Sequence, residues 1–200
     1  MDTVQLEIAQ AAAALVVDEG LDYGQAKKRA VKALGLPPRS ALPDNLTVET
    51  AVREHLALFH ADTQPAELRA LRELALVWME RLAEFQPLLG GAIWHGTATR
   101  LSDIHLQLFS DDPKAVELLL INQGVEYDAT TVNGLHGEAV EALSLRSHCE
   151  ALQEWVGVHL LINDTRAQRG ALLPDEAGRK PRGAAAAVRT LLRDSDSHTP

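Results

Sequence analysis

The sequence predicts an α+β protein in which a helical N-terminal half packs on a mixed β-sheet with flanking helices. Apolar residues recur at three- and four-residue steps up to about residue 88, as on one face of a helix. Beyond that point several segments alternate apolar and polar residues, as strands do, and a helical segment lies among them. The 200 residues are 46% hydrophobic but only 4% aromatic, which predicts a core of aliphatic side chains. We expect a helical segment over 1–65, a core with a C-terminal helix over 66–193, and a polar tail over 194–200.

Four helices are predicted in the N-terminal half. Gly20 and Gly35 follow the first two as glycine C-caps do. Thr47 can cap the third, and Pro65 suits the first turn of the fourth. The predicted ranges are 4–19, 23–34, 47–59 and 65–85.

The second half is predicted to alternate strands with helices. The segment 155–162 is apolar on both faces, which is typical of a central strand, and His159 is the polar residue inside it. Asn133 and Gly134 form a turn signal between two alternating segments. The predicted strands are 89–94, 104–109, 125–132, 138–145 and 155–162, and the predicted helices are 113–122 and 183–192.

Charge and composition exclude several classes of protein. The formal charge of −9 disfavours non-specific wrapping of nucleic acid unless basic residues cluster. Cys149 is the only cysteine, so an internal disulfide is excluded. Neither a membrane-spanning stretch nor a basic signal segment is recognisable, and we expect a cytoplasmic protein without a membrane partner.

One basic cluster stands out against the acidic background. Lys28 and Lys32 are four residues apart on a predicted helix, and Arg29 lies beside them. The cluster can contact RNA or another polyanion. It can equally be the solvated face of a helix whose alanines pack inward.

A set of polar residues in the second half carries possible chemistry. Gly96 and Thr97 follow the predicted strand that ends at Ile93–Trp94, and a helix beginning behind them would aim free N–H groups at a phosphate. Asp103 and His105 are two apart on a strand and therefore share a face. His159 joins them if its strand lies alongside. The alternatives are an ordinary turn, a capping aspartate and two histidines that are hydrogen-bonded to neighbours.

The order of these motifs resembles the nucleotidyltransferase superfamily of the DNA polymerase β type. It is most similar to a group of small bacterial nucleotidyltransferase-like proteins that also carry a helical N-terminal segment. The superfamily resemblance covers roughly 68–162. The closer likeness rests on 96–98, 102–109 and 112–114, with 23–28 and 41–45 in the N-terminal half.

The resemblance implies a function and a site. In that superfamily a Gly-Ser or Gly-Gly turn holds the triphosphate, and an Asp-x-Asp pair with a third carboxylate binds two magnesium ions. Here Gly96 and Thr97 would hold phosphate and Asp103 would bind metal. His105 and His159, which stand where carboxylates belong, would complete the ion site or help the attacking hydroxyl lose its proton.

Two functions remain open from the sequence. The first is an enzyme that binds a nucleoside triphosphate and transfers a nucleoside monophosphate to an RNA, protein or other acceptor. The second is an inactive module of the same fold that binds nucleotide, RNA or a protein partner. Imidazole ligands favour a softer ion such as manganese, zinc or iron over magnesium.

Overall fold

The computed structural model describes residues 2–175 and 178–196. The prediction of an α+β protein is confirmed, because the described residues form helices and a six-stranded mixed sheet. They divide into two compact units. The helical unit comprises the described residues of 1–67 together with 97–101, and the sheet unit comprises those of 68–96 and 102–200.

Three aspartates begin the first three helices of the helical unit. The side chains of Asp2, Asp22 and Asp44 each accept a hydrogen bond from a backbone N–H in the first turn. Thr47 is therefore not the cap of the third helix: its N–H donates to Asp44 Oδ1 at 2.7 Å, and the helix begins two residues earlier. The helices are α1 (Thr3–Glu19), α2 (Tyr23–Ala33) and α3 (Asn45–Phe59).

Small side chains form much of the core between these helices. Ala9, Ala12 and Ala13 of α1 are buried, as are Ala26 and Ala30 of α2. Alanine lets helix backbones approach closely, so a compact core needs few large residues. The buried residues that complete it are Ile8, Val17, Val31, Val48, Ala51, Val52 and Leu56.

Helix α4 (Gln64–Arg81) begins in the helical unit and continues into the sheet unit. It ends four residues earlier than predicted, and a 3₁₀ turn over Ala83–Phe85 follows. Gln86 then adopts a left-handed conformation (φ 50°). Pro87 explains why the chain is not helical at Gln86, because a proline disfavours the helical conformation in the residue before it.

The described strands are β1 (Leu88–Gly90), β2 (Ile104–Phe109), β3 (Asp128–Asn133), β4 (Ala139–Cys149), β5 (Glu154–Asn163) and β6 (Arg182–Ala184). Their order across the sheet is β3-β4-β5-β2-β1-β6. The strands β2 and β5 are parallel, whereas the other neighbouring pairs are antiparallel. The predicted central position of β5 is confirmed.

The prediction of a strand through Ile93 and Trp94 is wrong. The strand β1 stops at Gly90, and Gly91–His95 forms the short helix α5. Gly91 has a φ of 68°, a left-handed conformation that interrupts an extended strand and is easiest for glycine.

The remaining helices lie close to their predicted ranges. The helix α6 (Pro113–Asn122) is as predicted, with Asp112 as its cap. The last helix, α7 (Ala185–Asp196), begins two residues late because residues 182–184 form β6, which the sequence did not indicate. The predicted tail is helical over 194–196, and 197–200 lie outside the described residues. Among the described residues no helix is long and apolar enough to cross a membrane.

Candidate functional site

Strand register brings three polar residues into one row of the sheet. His105 of β2 lies opposite His159 of β5, and Ser144 of β4 lies opposite His159 on the other side. Directly opposed residues on neighbouring strands project from the same face. The rings of His105 and His159 stack with their centroids 4.9 Å apart and their planes 21° from parallel.

Asp103 joins this row from the residue before β2. Its Oδ2 lies 3.1 Å from Nε2 of His159, and its Oδ1 accepts a 3.1 Å hydrogen bond from the N–H of Gly157. Nδ1 of His159 lies 2.8 Å from Oγ of Ser144. An ionised carboxylate can only accept, so Nε2 carries the ring proton and the Ser144 hydroxyl donates to Nδ1. The result is a hydrogen-bonded series from Ser144 through His159 to Asp103.

The pKa values of two members of the site are shifted. The hydrogen bond from His159 lowers the pKa of Asp103 below its usual value, and the Gly157 N–H adds to this effect against partial burial. Desolvation lowers the pKa of His105, and the neighbouring His159 lowers it further, although Asp103 acts in the opposite direction. His105 is exposed to solvent, but its neighbours on the sheet still disfavour the charged form of the ring. Asp103 is therefore an anion and His105 a neutral imidazole at neutral pH.

A cleft of about 1270 Å³ opens beside Asp103, His159 and Ser144. Ligand pockets commonly measure about 300–1,000 Å³, so this space accommodates a ligand the size of a nucleotide. Trp155, which is 60% exposed, forms part of its wall. Two arginines and three carboxylates also line it, namely Arg81, Arg146, Asp103, Glu126 and Asp128.

Gly96 and Thr97 do not have the local structure expected of them. Gly96 is the left-handed C-cap of α5 (φ 82°), so the helix ends there and does not begin behind it. The last turn of a helix presents carbonyl oxygens, which repel phosphate. Thr97 is buried, and its Oγ1 has no hydrogen-bond partner among the described residues. Phosphate binding by these two residues remains a prediction, without the helix N-terminus that motivated it.

Sequence reasoning missed two residues near the site. Gly91 lies in the turn after β1, where a Cβ atom would come 4.0 Å from Cδ2 of His105. The Gly90–Gly91 dipeptide behind an apolar run was the available signal. Ser144 carried no signal, because a serine in an alternating strand is ordinary and its pairing with His159 depends on register.

The donor set beside the cleft does not fit a magnesium site. Both ring nitrogens of His159 are engaged, and the Asp103 carboxylate accepts two hydrogen bonds. Magnesium prefers oxygen ligands, and here a single carboxylate faces two imidazoles. Within 2–175 and 178–196, one set of three side chains has all its ligand atoms within 4.8 Å of one another, and it is a different set: Asp18, His55 and His60.

The basic cluster lies on α2 as predicted. Lys28, Arg29 and Lys32 are exposed, and the Arg29 guanidinium forms an ion pair with Glu19. Neither Lys28 nor Lys32 forms an ion pair with another described residue. The cluster therefore offers two available ammonium groups and one neutralised guanidinium.

The chain is similar to two solved structures of nucleotide-transferring enzymes. One is the Cid1 poly(U) polymerase with MgGTP bound, at 16% identity and a TM-score of 0.34 over 53% of this chain. The other is a cytoplasmic RNA terminal U-transferase, at 19% identity and a TM-score of 0.32 over 56% of this chain. The match spans 34% of the length of each enzyme. No protein-family model and no curated protein matches the chain.

Proposed function

We propose that the cleft beside Asp103 and His159 binds a nucleoside triphosphate. The carrying observation is that Asp103, Ser144 and His159 line a cleft large enough for that ligand, and that His105 stacks on His159. The sequence resemblance to the nucleotidyltransferase superfamily points to the same ligand class. Residues of the chain itself supply the contacts to the nucleotide.

Side chains around the cleft suit the two ends of a nucleotide. The exposed ring of Trp155 offers a face on which a base can stack. Arg81 and Arg146 offer cations to the phosphates, and Arg81 is held over the Trp78 ring, 4.1 Å from its centroid.

The catalytic form of this proposal is transfer of a nucleoside monophosphate to an acceptor hydroxyl. The acceptor oxygen forms a bond to the α-phosphorus, the bond to the bridging oxygen breaks, and pyrophosphate leaves. The acceptor hydroxyl replaces Ser144 as the donor to Nδ1 of His159, and the ring takes its proton. Asp103 then stabilises the imidazolium that forms. A divalent ion is what the resemblance implies, but the donor set does not fit magnesium, and this step uses no ion.

A second candidate is binding without transfer. It is favoured by the hydrogen bonds that already satisfy Asp103 and both nitrogens of His159. A site whose polar groups are paired among themselves has less need of a metal or a reacting group. In this case the cleft holds nucleotide, RNA or a protein partner as a recognition surface.

Calorimetry and pyrophosphate release test the proposal with each of the four nucleoside triphosphates, with magnesium and with manganese. We expect one triphosphate to bind and to release pyrophosphate, and Asp103→Asn to lower that release at least about tenfold, because it removes the anion that stabilises the His159 imidazolium. Asp62→Asn, an exposed aspartate in the helical unit, is the matched control. Pyrophosphate release that is lost in Asp103→Asn supports transfer, whereas binding without release supports the second candidate. Absence of binding to any triphosphate contradicts both.

Gly157→Ala is a second variant for the same assays. Its Cβ would lie 2.6 Å from Oδ1 of Asp103, so the carboxylate must move away from His159. The variant keeps every ionisable group and should lower pyrophosphate release as Asp103→Asn does. Gly24→Ala, in the first turn of α2, makes the same chemical change away from the cleft and should leave the release unchanged.

A further inference from the structure

Three side chains of the helical unit converge at the ends of two helices. Asp18 lies in the last turn of α1, His55 lies in α3, and His60 is the C-cap of α3. Nε2 of His60 is 3.2 Å from Oδ1 of Asp18, and Nε2 of His55 is 3.6 Å from Oδ2 of the same carboxylate. The three ligand atoms all lie within 4.8 Å of one another.

The helix core fixes this convergence. Val17 precedes Asp18 and is buried, and Leu56 follows His55 and is buried as well. The side chains of His55 and His60 are 18% and 32% exposed, while that of Asp18 is 51% exposed. The two imidazoles are thus held by packing, and the carboxylate keeps the group open to an ion from solvent.

The distances suit a small tetrahedral ion. Two ligands bound to zinc at about 2.0–2.1 Å in tetrahedral geometry lie about 3.3 Å apart. The two nitrogen–oxygen separations, 3.2 Å to Oδ1 and 3.6 Å to Oδ2 of Asp18, lie close to that value, and one ligand atom of each residue lies within 4.8 Å of the others. Two imidazole nitrogens and one carboxylate oxygen favour zinc and the later first-row metals over magnesium or calcium. Water would fill the fourth position.

The electrostatics of the helix ends favour a cation at the same place. The C-terminus of a helix carries a partial negative charge, which a nearby cation stabilises. Neither α1 nor α3 has a basic residue in its last turn. Asp18 adds a further negative charge to the end of α1, in a chain whose net charge is −9. Arg29 of α2 pairs with Glu19 at the end of α1, and a bound ion would add positive charge beside Asp18.

We propose that Asp18, His55 and His60 bind zinc or another late first-row divalent metal ion, which joins the end of α3 to the end of α1. The role is structural, since the ion ties two helices of one unit. The site shares no residue with the nucleotide cleft and does not depend on the function proposed for it.

Zinc titration of the full, untagged chain after chelator treatment tests this proposal. We expect one zinc ion per chain and a rise in melting temperature on saturation. His60→Gln and Asp18→Asn should each weaken zinc binding at least about tenfold. Mutation of a residue that only hydrogen-bonds to a metal ligand already costs about that much, and these two residues are ligands themselves. His136→Gln, an exposed histidine in the sheet unit, is the matched control and should bind zinc as the wild type does. Cobalt in place of zinc gives a visible absorption that reports the ligands directly.

The outcomes separate this site from the cleft. Loss of binding in His60→Gln and Asp18→Asn, with normal helical circular dichroism and normal binding in Asp103→Asn, supports the proposal. If Asp103→Asn abolishes zinc binding while Asp18→Asn does not, the ion belongs to the cleft and the proposal is overturned. No stoichiometric zinc binding, or binding that neither Asp18→Asn nor His60→Gln weakens, overturns it as well. In those cases the three side chains form only hydrogen bonds.

Discussion

His105 and His159 occupy opposite positions on parallel strands, yet their surroundings give them different properties. His159 uses both ring nitrogens, one with Asp103 and one with Ser144. His105 stacks on His159, and its ring forms no hydrogen bond with another described residue. Without a partner, its charged form is disfavoured by desolvation, which lowers its pKa. One imidazole is therefore held in a defined tautomer, and the other is kept neutral.

The lowered pKa of His105 predicts a loss of stability in mild acid. The unfolded chain takes up a proton near the usual pKa of 6.5, whereas the folded chain does so only at lower pH. Between those values the unfolded state binds more protons, so the free energy of unfolding falls as the pH falls. The pKa of Asp103 is depressed from 3.8, so its contribution is lost in a more acidic range.

Thermal melts of wild type and His105→Gln check this prediction from about pH 7.5 down to about pH 5. The melting temperature of the wild type should fall more steeply with acid than that of the variant. His136→Gln, which removes an exposed imidazole, should follow the wild type. Equal pH dependence in all three proteins would show that His105 is not the group responsible.

Strand alternation anticipated only part of the row formed by Asp103, His105 and His159, and it left the neighbouring position of His159 as a condition. It could place Asp103 and His105 on one face, and an apolar segment around His159 indicated a central strand. It could not pair Ser144 with His159, because register depends on tertiary contacts that leave no local pattern. The site residues' roles stay predictions.

At the scale of elements, α5 shows why a short apolar run is ambiguous. Ala92, Ile93 and Trp94 suit a strand or a buried helix equally well by composition. In the structure the helix is stabilised by Arg72, a buried residue of α4. Its guanidinium donates to the carbonyl oxygens of Ile93 and Trp94 at 3.1 and 3.4 Å, and so satisfies carbonyls near the end of α5. Nothing in the local sequence signals that contact.

The strand β6 depends on a glycine that touches the α5 tryptophan. A Cβ on Gly183 would lie 2.2 Å from two atoms of the Trp94 ring, which also donates from Nε1 to the Lys180 carbonyl oxygen at 2.8 Å. The ring is rigid and cannot yield without losing that hydrogen bond. We expect Gly183→Ala to lower the free energy of unfolding by about 1–3 kcal/mol, the usual cost of overpacking.

Urea unfolding measures this change in stability. Gly90→Ala is the matched control in the neighbouring strand, since its Cβ would be 3.7 Å from its nearest contact, the Pro181 carbonyl oxygen, and should cost much less. Equal losses in the two variants would mean that the Trp94 contact does not limit the size of residue 183.

At the scale of the whole molecule, the boundary between the two units does not coincide with the change from helical to strand-like periodicity in the sequence. Helical periodicity persists to about residue 88, but the contacts of the helical unit end at Glu67 and resume over 97–101. Hydrogen bonds hold the segment 97–101 within the helical unit. Gln64 Nε2 donates to the Ala98 carbonyl oxygen at 2.9 Å, and Glu67 accepts from the Arg100 N–H at 3.0 Å. Such long-range bonds to loop backbone have no periodic signature, so the sequence did not predict them.

The charge of the molecule makes a final prediction about RNA. With a net charge of −9, the chain repels polyanions except where cations are available, as Lys28 and Lys32 are on α2. Two lysines release about two counterions, so the logarithm of the affinity for single-stranded RNA should fall against the logarithm of salt with a slope of about −1.4. Fluorescence anisotropy with a labelled RNA should thus show weak binding at low salt that is lost near physiological salt.

The double variant Lys28→Glu/Lys32→Glu should abolish this RNA binding, whereas Lys180→Glu, in the sheet unit, should not. A much steeper slope, or binding that the double variant keeps, would place RNA on another surface, and the Arg81 and Arg146 side of the cleft would be the next to test.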